Sequence, residues 1–195
     1  MQISAIILSG GHATRMGGIN KGLILLQNNP LIQHAIRRLQ PQVDEIFINA
    51  NREIAQYEAF GLPVLQDENA EFLGPLAGIC LGLKHAKHEF VLSVPCDSPL
   101  LPLDLALRLL NGILESRADI AVASSGGNLH PVFCLMKKSV LPSLVDFLDA
   151  GERKVSAWQK SLNYIEVDFS DNSQAFTNLN TFDDLADLEL KLNKT

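Results

Sequence analysis

Short apolar runs alternate along the chain with longer stretches whose apolar residues fall three and four positions apart. Ile3–Leu8, Glu45–Asn49, Val64–Gln66, Phe90–Val94, Ala118–Ser124 and Pro131–Met136 have the length and character of buried strands. The helical period governs Leu31–Leu39, Arg52–Phe60, Leu76–His88 and Leu103–Glu115, and then Ser139–Leu148 and Lys154–Leu162. A last strand over Tyr164–Asp168 leads to a helix from Asp183 to about Leu192, with Thr181 as its N-cap. This alternation predicts a three-layer α/β/α arrangement around a mostly parallel central sheet. Gly126-Gly127-Asn128 reads as a hairpin or loop turn, and no repeat or linker interrupts the pattern, so residues 1–195 are expected to form one domain.

Composition narrows the classes without choosing among them. A chain of 195 residues that is 47% hydrophobic and 19% charged can bury a core. Its net charge of −6 and lack of a Lys/Arg run argue against a nucleic-acid partner. A small anionic ligand stays open, because a few cations suffice to focus charge inside a cleft. The N-terminal apolar run is too short to span a membrane and has no basic leader before it. Cys80, Cys96 and Cys134 are widely spaced and form no CxxC pair, which predicts buried thiols in the cytoplasm and no zinc site.

In a Rossmann-like sheet ligands bind beyond the carboxyl ends of the strands, so the residues following each strand carry the chemistry. After the first strand comes LSGGHATRMGGINKG, residues 8–22. Its spacing is neither that of a Walker A loop nor of a GxGxxG fingerprint. The physical content is similar all the same: glycines let backbone N–H groups approach an anion, and Arg15 and Lys21 offset its charge. A glycine-rich turn with solvated cations is the plainer alternative. Asn49 and Asn51 follow the second strand and Asp67 the third; amides and carboxylates there can read a base edge or a ribose hydroxyl, or simply build turns.

Gly74-Pro75-Leu76-Ala77-Gly78 opens a helix with proline in the first turn, a start bare enough to admit a flat ring or a phosphate. Asp97 stands in Pro95-Cys96-Asp97-Ser98-Pro99, where the prolines stiffen the backbone. A rigid carboxylate opposite a phosphate loop suits Mg²⁺, which takes one or two carboxylates together with substrate phosphates and water. His85 and His88, both placed on the helix over Leu76–His88, sit among charged neighbours and read as surface residues. Cys96 has no recognisable partner base and reads as a small buried hydrophobe. Asn178 and Asn180 occupy alternate positions of a short extended stretch, where they could bind a polar ligand or cap the last helix.

Taken together these stretches resemble a known family. LSGGHATRMGGINKG is similar to the LAGG…RMGG.DKG signature of the nucleotidyltransferase superfamily that includes nucleotide-diphospho-sugar transferases. INANR, LQDE, GPLAGI, VPCDSP, HPVF, AGERKV and FTNLNT resemble the molybdenum cofactor guanylyltransferases within it, over nearly the whole chain. The resemblance implies transfer of GMP from GTP to Mo-molybdopterin, forming molybdopterin guanine dinucleotide and diphosphate with Mg²⁺ as cofactor. It implies that Leu8, Ser9 and Gly10 line the GTP site, that Lys21 meets the phosphates, and that Asn49 and Asp67 contact the guanosine portion. Gly74 and Gly78 would shape the pocket, Asp97 would bind both GTP and Mg²⁺, and Asn178 and Asn180 would lie on the molybdopterin side.

Arg15, Lys21 and Asp97 are thus the expected catalytic groups, and no general base is needed because the attacking phosphate is already an anion. Implied partners are other molybdenum cofactor biosynthesis proteins and acceptor molybdoenzymes, with neither nucleic acid nor membrane among them. Two positions depart from the signature: Ser9 stands for the usual Ala, and Asn20 for the usual Asp before the lysine. The loss of charge at Asn20 is expected to weaken the orientation of Lys21 or a metal contact. Transfer from CTP, a sugar-phosphate acceptor, and a non-catalytic nucleotide- or molybdopterin-binding module are the competing readings.

Overall fold

The structure, a computed structural model, describes residues 1–9, 20–67, 74–177, 179 and 181–192. Its first half runs β1 (Ile3–Leu8), β2 (Leu25–Leu26), β3 (Asn29–Pro30), α1 (Leu31–Leu39), β4 (Glu45–Asn49), α2 (Ile54–Glu58), β5 (Val64–Leu65), α3 (Pro75–His85) and β6 (Phe90–Pro95). The second half adds α4 (Leu105–Ser116), β7 (Ile120–Ser125), β8 (Asn128–Lys137), α5 (Leu141–Asp149), α6 (Val155–Lys160), β9 (Tyr164–Asp168) and α7 (Phe182–Leu192). Seven strands form one sheet in the order β5-β4-β1-β6-β8-β7-β9. Within it β8 runs antiparallel to both its neighbours, and every other pairing is parallel. The expected α/β/α class with a mostly parallel sheet is the one observed.

Alternate residues of each strand feed two separate cores. Ile3, Ala5 and Ile7 of β1 and Phe90, Leu92 and Val94 of β6 face α1, α2 and α4. Val91, Ile120, Val122, Cys134 and Met136 face α3, α5 and α6, with Trp158 fully buried among them. With both faces covered, the central strands read as nearly continuous apolar runs, and this is why the sequence exposes them so clearly. A third, smaller cluster packs Leu26 and Leu31 against Leu179 and the inner side of α7.

Differences from the expected elements have local causes. The helix predicted to reach His88 stops at His85, because Ala86 turns to an extended backbone (φ −54°, ψ 134°). The residues beyond it are tied to the far edge of the sheet, with Lys87 N–H donating to Glu45 and His88 N–H to Ser4. His88 therefore lies outside the helix, and the two histidines do not share a helical face. Helix α2 begins only at Ile54, since Glu53 before it is left-handed (φ 46°). The β2–β3 hairpin, not expected from the pattern, turns on Gln27 and Asn28 with φ of 47° and 61°, as a two-residue type I′ turn requires. Gly126 and Gly127 do form the hairpin turn between β7 and β8, and Thr181 caps α7 through reciprocal bonds with Asp184.

The carboxyl edge of the sheet is in tight register. Pro95, Leu8, Asn49 and Leu65 lie in one row across β6, β1, β4 and β5. Beyond that row Ser9 N–H donates to Asn49 O at 2.8 Å, and Cys96 N–H to Leu8 O at 3.1 Å. Among the described residues, Ser9, Asn49 and Cys96-Asp97, which the sequence marked after strands, therefore emerge on one rim.

Candidate active site

Two polar clusters occupy that rim. At the first, Lys21 rides on a single 3-10 turn, Lys21–Leu23, closed by Leu23 N–H donating to Asn20 O at 3.1 Å. Its ammonium lies 3.2 Å from Oδ2 of Asp97, in a pair whose side chains are 22% and 12% exposed. The other Asp97 oxygen, Oδ1, is buried and has no hydrogen-bond partner among the described residues. A carboxylate oxygen out of water and unpartnered is costly unless it meets a cation or a donor. Asp97 is also held by its backbone, since its carbonyl accepts the N–H of Leu179 at 3.2 Å. That bond brings the residue between Asn178 and Asn180 in the sequence to the Asp97 turn.

At the second cluster Asp67 is gripped by two amides. Asn49 Nδ2 donates to Asp67 Oδ1 and Asn51 Nδ2 to Oδ2, each at 2.8 Å, while Asp67 N–H returns a bond to Asn51 Oδ1 at 2.8 Å. Each carboxylate oxygen keeps a further lone pair for a ligand donor. Asn49 is buried and also bonds the Leu65 carbonyl at 3.2 Å, so it is set before any ligand arrives. Asn51 belongs to this cluster as fully as Asn49 does. Its only signal in the sequence was its alternation with Asn49 at a strand end, which is equally common in turns.

Helix α3 closes over these groups because its glycines let it. A Cβ at Gly78 would fall 2.4 Å from Asn49 Oδ1 and 2.5 Å from Leu8 Cδ2, so α3 lies directly on the rim row. Gly74, the residue before α3, has φ +123° and an open surrounding, a backbone state that only glycine adopts readily. Leu8 and Ser9 end β1 between the two clusters. Gly10 and Arg15, with Asn178 and Asn180, lie outside the described residues.

Next to the Lys21–Asp97 pair Tyr57 and Cys96 are buried. Tyr57 from α2 is fully buried, and its hydroxyl donates to Asn20 Oδ1. Burial above all pushes the Cys96 thiol up to about 12, and the adjacent Asp97 charge adds to it, so Cys96 is no nucleophile. Burial likewise raises the Tyr57 phenol above its ordinary range. The rim continues past β6 to the end of β7, where His130 bonds Ser125 at 2.7 Å and stacks on Phe176 at 4.4 Å. Burial lowers the His130 pKa, keeping it neutral at pH 7. No group of three His, Cys, Asp or Glu suited to a metal occurs among the described residues.

Residues 5–163 match the family described as the MobA-like NTP transferase domain. The chain belongs to that family. It is 46% identical over 195 residues to a molybdenum cofactor guanylyltransferase of Shewanella sp. strain MR-4, covering 100% of this chain and 99% of the relative. The enzyme of that name from Shewanella putrefaciens is 49% identical over 184 residues, 94% of each chain. In three dimensions the molybdopterin-guanine dinucleotide biosynthesis protein A of Archaeoglobus fulgidus superposes with a TM-score of 0.80 at 21% identity, over 100% of both chains. The first of these matches establishes the family over most of the chain, and the last bears on the fold. Both polar clusters described above, and Arg15, lie within this family's matched span, whereas Asn178 and Asn180 fall beyond it.

Proposed function

We propose that residues 1–195 act as one nucleotidyltransferase domain that transfers GMP from GTP to Mo-molybdopterin, giving molybdopterin guanine dinucleotide and diphosphate. The observation that carries this reading is the placement of two clusters on one rim. Lys21 and Asp97 lie at the β6 end, and the Asn49–Asp67–Asn51 set lies at the β4–β5 end. Three inter-strand steps separate β6 from β5, roughly 14 Å at about 4.8 Å each. A nucleoside triphosphate spans such a distance, with its base and ribose at Asp67 and its phosphates at Lys21.

In this arrangement an oxygen of the molybdopterin phosphate attacks the α-phosphorus of GTP, and the bond to the departing diphosphate breaks. Lys21 meets the charge that gathers on the phosphates, with Arg15 as its expected companion. Asn49 and Asp67 hold the guanosine portion, Gly74 and Gly78 leave room for it, and Leu8, Ser9 and Gly10 line the space between. Much of the acceleration then comes from holding the two anions in line, an effect worth up to about 7–11 kcal/mol in well-oriented systems. Asp97 would hold Mg²⁺: its unpartnered Oδ1 is a hard oxygen at the place where the phosphates would lie. When bound there the ion would supply Lewis-acid stabilisation of phosphate charge. Asn178 and Asn180 would face molybdopterin.

Among the described residues no helix is long and apolar enough to cross a membrane, and Cys80, Cys96 and Cys134 are all buried without a disulfide. Those thiols support a cytoplasmic location, alongside the other molybdenum cofactor biosynthesis proteins and the acceptor molybdoenzymes. The deciding experiment follows diphosphate release with Mg²⁺ and Mo-molybdopterin, with GTP and CTP run in parallel. Release with GTP and formation of the guanine dinucleotide are expected. A preference for CTP would overturn the substrate while leaving the reaction class, and nucleotide binding without release would overturn the reaction itself.

A further inference from the structure

Lys21 reaches Asp97 from a turn of only three residues, so something outside that turn must hold it in place. The residue before it supplies the grip. Asn20 Oδ1 accepts the hydroxyl of Tyr57, and Asn20 Nδ2 donates to Glu53 Oε2 at 2.7 Å. An amide can do both at once, because one end accepts and the other donates. The aspartate usual at this position could accept from Tyr57, but its second oxygen would face the Glu53 carboxylate at the same distance.

The residue after Lys21 rests on the same hydroxyl. A Cβ on Gly22 would lie 2.6 Å from Tyr57 Oη and 3.4 Å from Cys96 Sγ, so the Gly22 backbone is seated on both side chains. Cys96 in turn precedes Asp97. Asn20, one of the two departures from the family signature, thus bonds the same buried phenol that seats Gly22. Glu53 immediately precedes α2, in a left-handed backbone conformation.

We infer that Asn20, bridging Tyr57 to Glu53, is a positioning residue that sets Lys21 against the substrate phosphates. The inference rests on the proposed role of Lys21. In this chain the amide at position 20 and the acid at position 53 form a matched set, so the missing charge beside Lys21 is a compensated exchange and not a defect.

The test uses Asn20→Asp, Tyr57→Phe, and Asn20→Asp combined with Glu53→Gln, with thermal melting to show that each is folded. Two readouts are taken. One is the rate of reductive methylation of Lys21 in the ligand-free protein, followed by mass spectrometry; the other is kcat and KM for GTP. Asn20→Asp and Tyr57→Phe are each expected to raise Lys21 methylation several-fold. Asn20→Asp should also lower kcat about tenfold, a change of 1.4 kcal/mol in the barrier, with a smaller change in KM. Adding Glu53→Gln should restore both readouts to within about twofold, which a merely structural loss would not allow.

Unchanged Lys21 methylation in Asn20→Asp and Tyr57→Phe would overturn the inference, as would failure of Glu53→Gln to rescue. Should Asn20→Asp not fold, Tyr57→Phe decides by the methylation rate. If the wild type transfers no GMP while methylation and rescue behave as described, the positioning stands and the proposed reaction falls.

Discussion

A Cβ on Gly78 would lie 2.4 Å from Asn49 Oδ1, so the backbone of α3 and the amide that holds Asp67 share one van der Waals boundary. Adding even a methyl group there must move one of them. Gly78→Ala is expected to turn Asn49 away from Asp67, raising KM for GTP about tenfold or more with a smaller change in kcat. The same variant should cost about 1–3 kcal/mol of stability through overpacking. Steady-state kinetics and urea unfolding check both. Because Asn49→Ala removes the group that Gly78→Ala displaces, the double variant should be little worse in KM than either single one.

Replacing Asp97 by Asn keeps the shape of the turn but removes the charge that pairs with Lys21. The expected result is a loss of transfer of about 10²–10³ or more, comparable with removing a dedicated charge-stabilising group. Near wild-type turnover by Asp97→Asn would remove Asp97 from the chemistry. Lys21→Ala should lower kcat at saturating GTP by about 10², and an unchanged rate there would release Lys21 from the phosphates.

Stability should decline on the alkaline side. Burial raises both the Cys96 and the Cys134 thiols to about 12 in the folded chain, against about 8.5 in an unfolded one. Between those values the unfolded state binds fewer protons than the native state, so ΔG of unfolding falls as pH rises. The stabilisation is fully present below about pH 8.5 and is lost progressively above it, with a slope of up to about 1.4 kcal/mol per pH unit for each thiol. Urea midpoints measured from pH 7 to 10 test this, and Cys134→Ala should flatten the alkaline slope. Both thiols should also resist iodoacetamide at pH 8 until the chain is unfolded.

Trp158 is fully buried against α3, α5 and β8, and its indole N–H has no partner among the described residues. Trp158→Ala is expected to cost about 3–5 kcal/mol through the cavity it leaves. Trp158→Phe retains most of the buried ring while deleting the lone donor, and should cost clearly less. As the only tryptophan in the chain, it makes intrinsic fluorescence a direct report of that core for the wild type; the variants are followed by circular dichroism.

By itself the sequence determined the layers and the rim. Strands β1 and β4 begin and end where the sequence pattern places them, since burial on both faces leaves a nearly unbroken apolar signature. It also placed Lys21, Asn49, Asp67 and Asp97 at strand ends, because the chemistry of a parallel sheet collects there. The tertiary structure decided which of those residues touch. Lys21 and Asp97 are 76 positions apart, and Asn20 and Tyr57 are 37 apart. Their meeting depends on β1 lying between β4 and β6, an order that no local period encodes. For the same reason Asn51 could be noted at a strand end but not assigned, and Tyr57 was hidden. One looks like a turn residue and the other like core until the fold sets an acid beside the first and an amide above the second. Period and propensity report what each segment buries, whereas hydrogen-bond partners come from strand order and the close packing of α3 and α2 on the sheet.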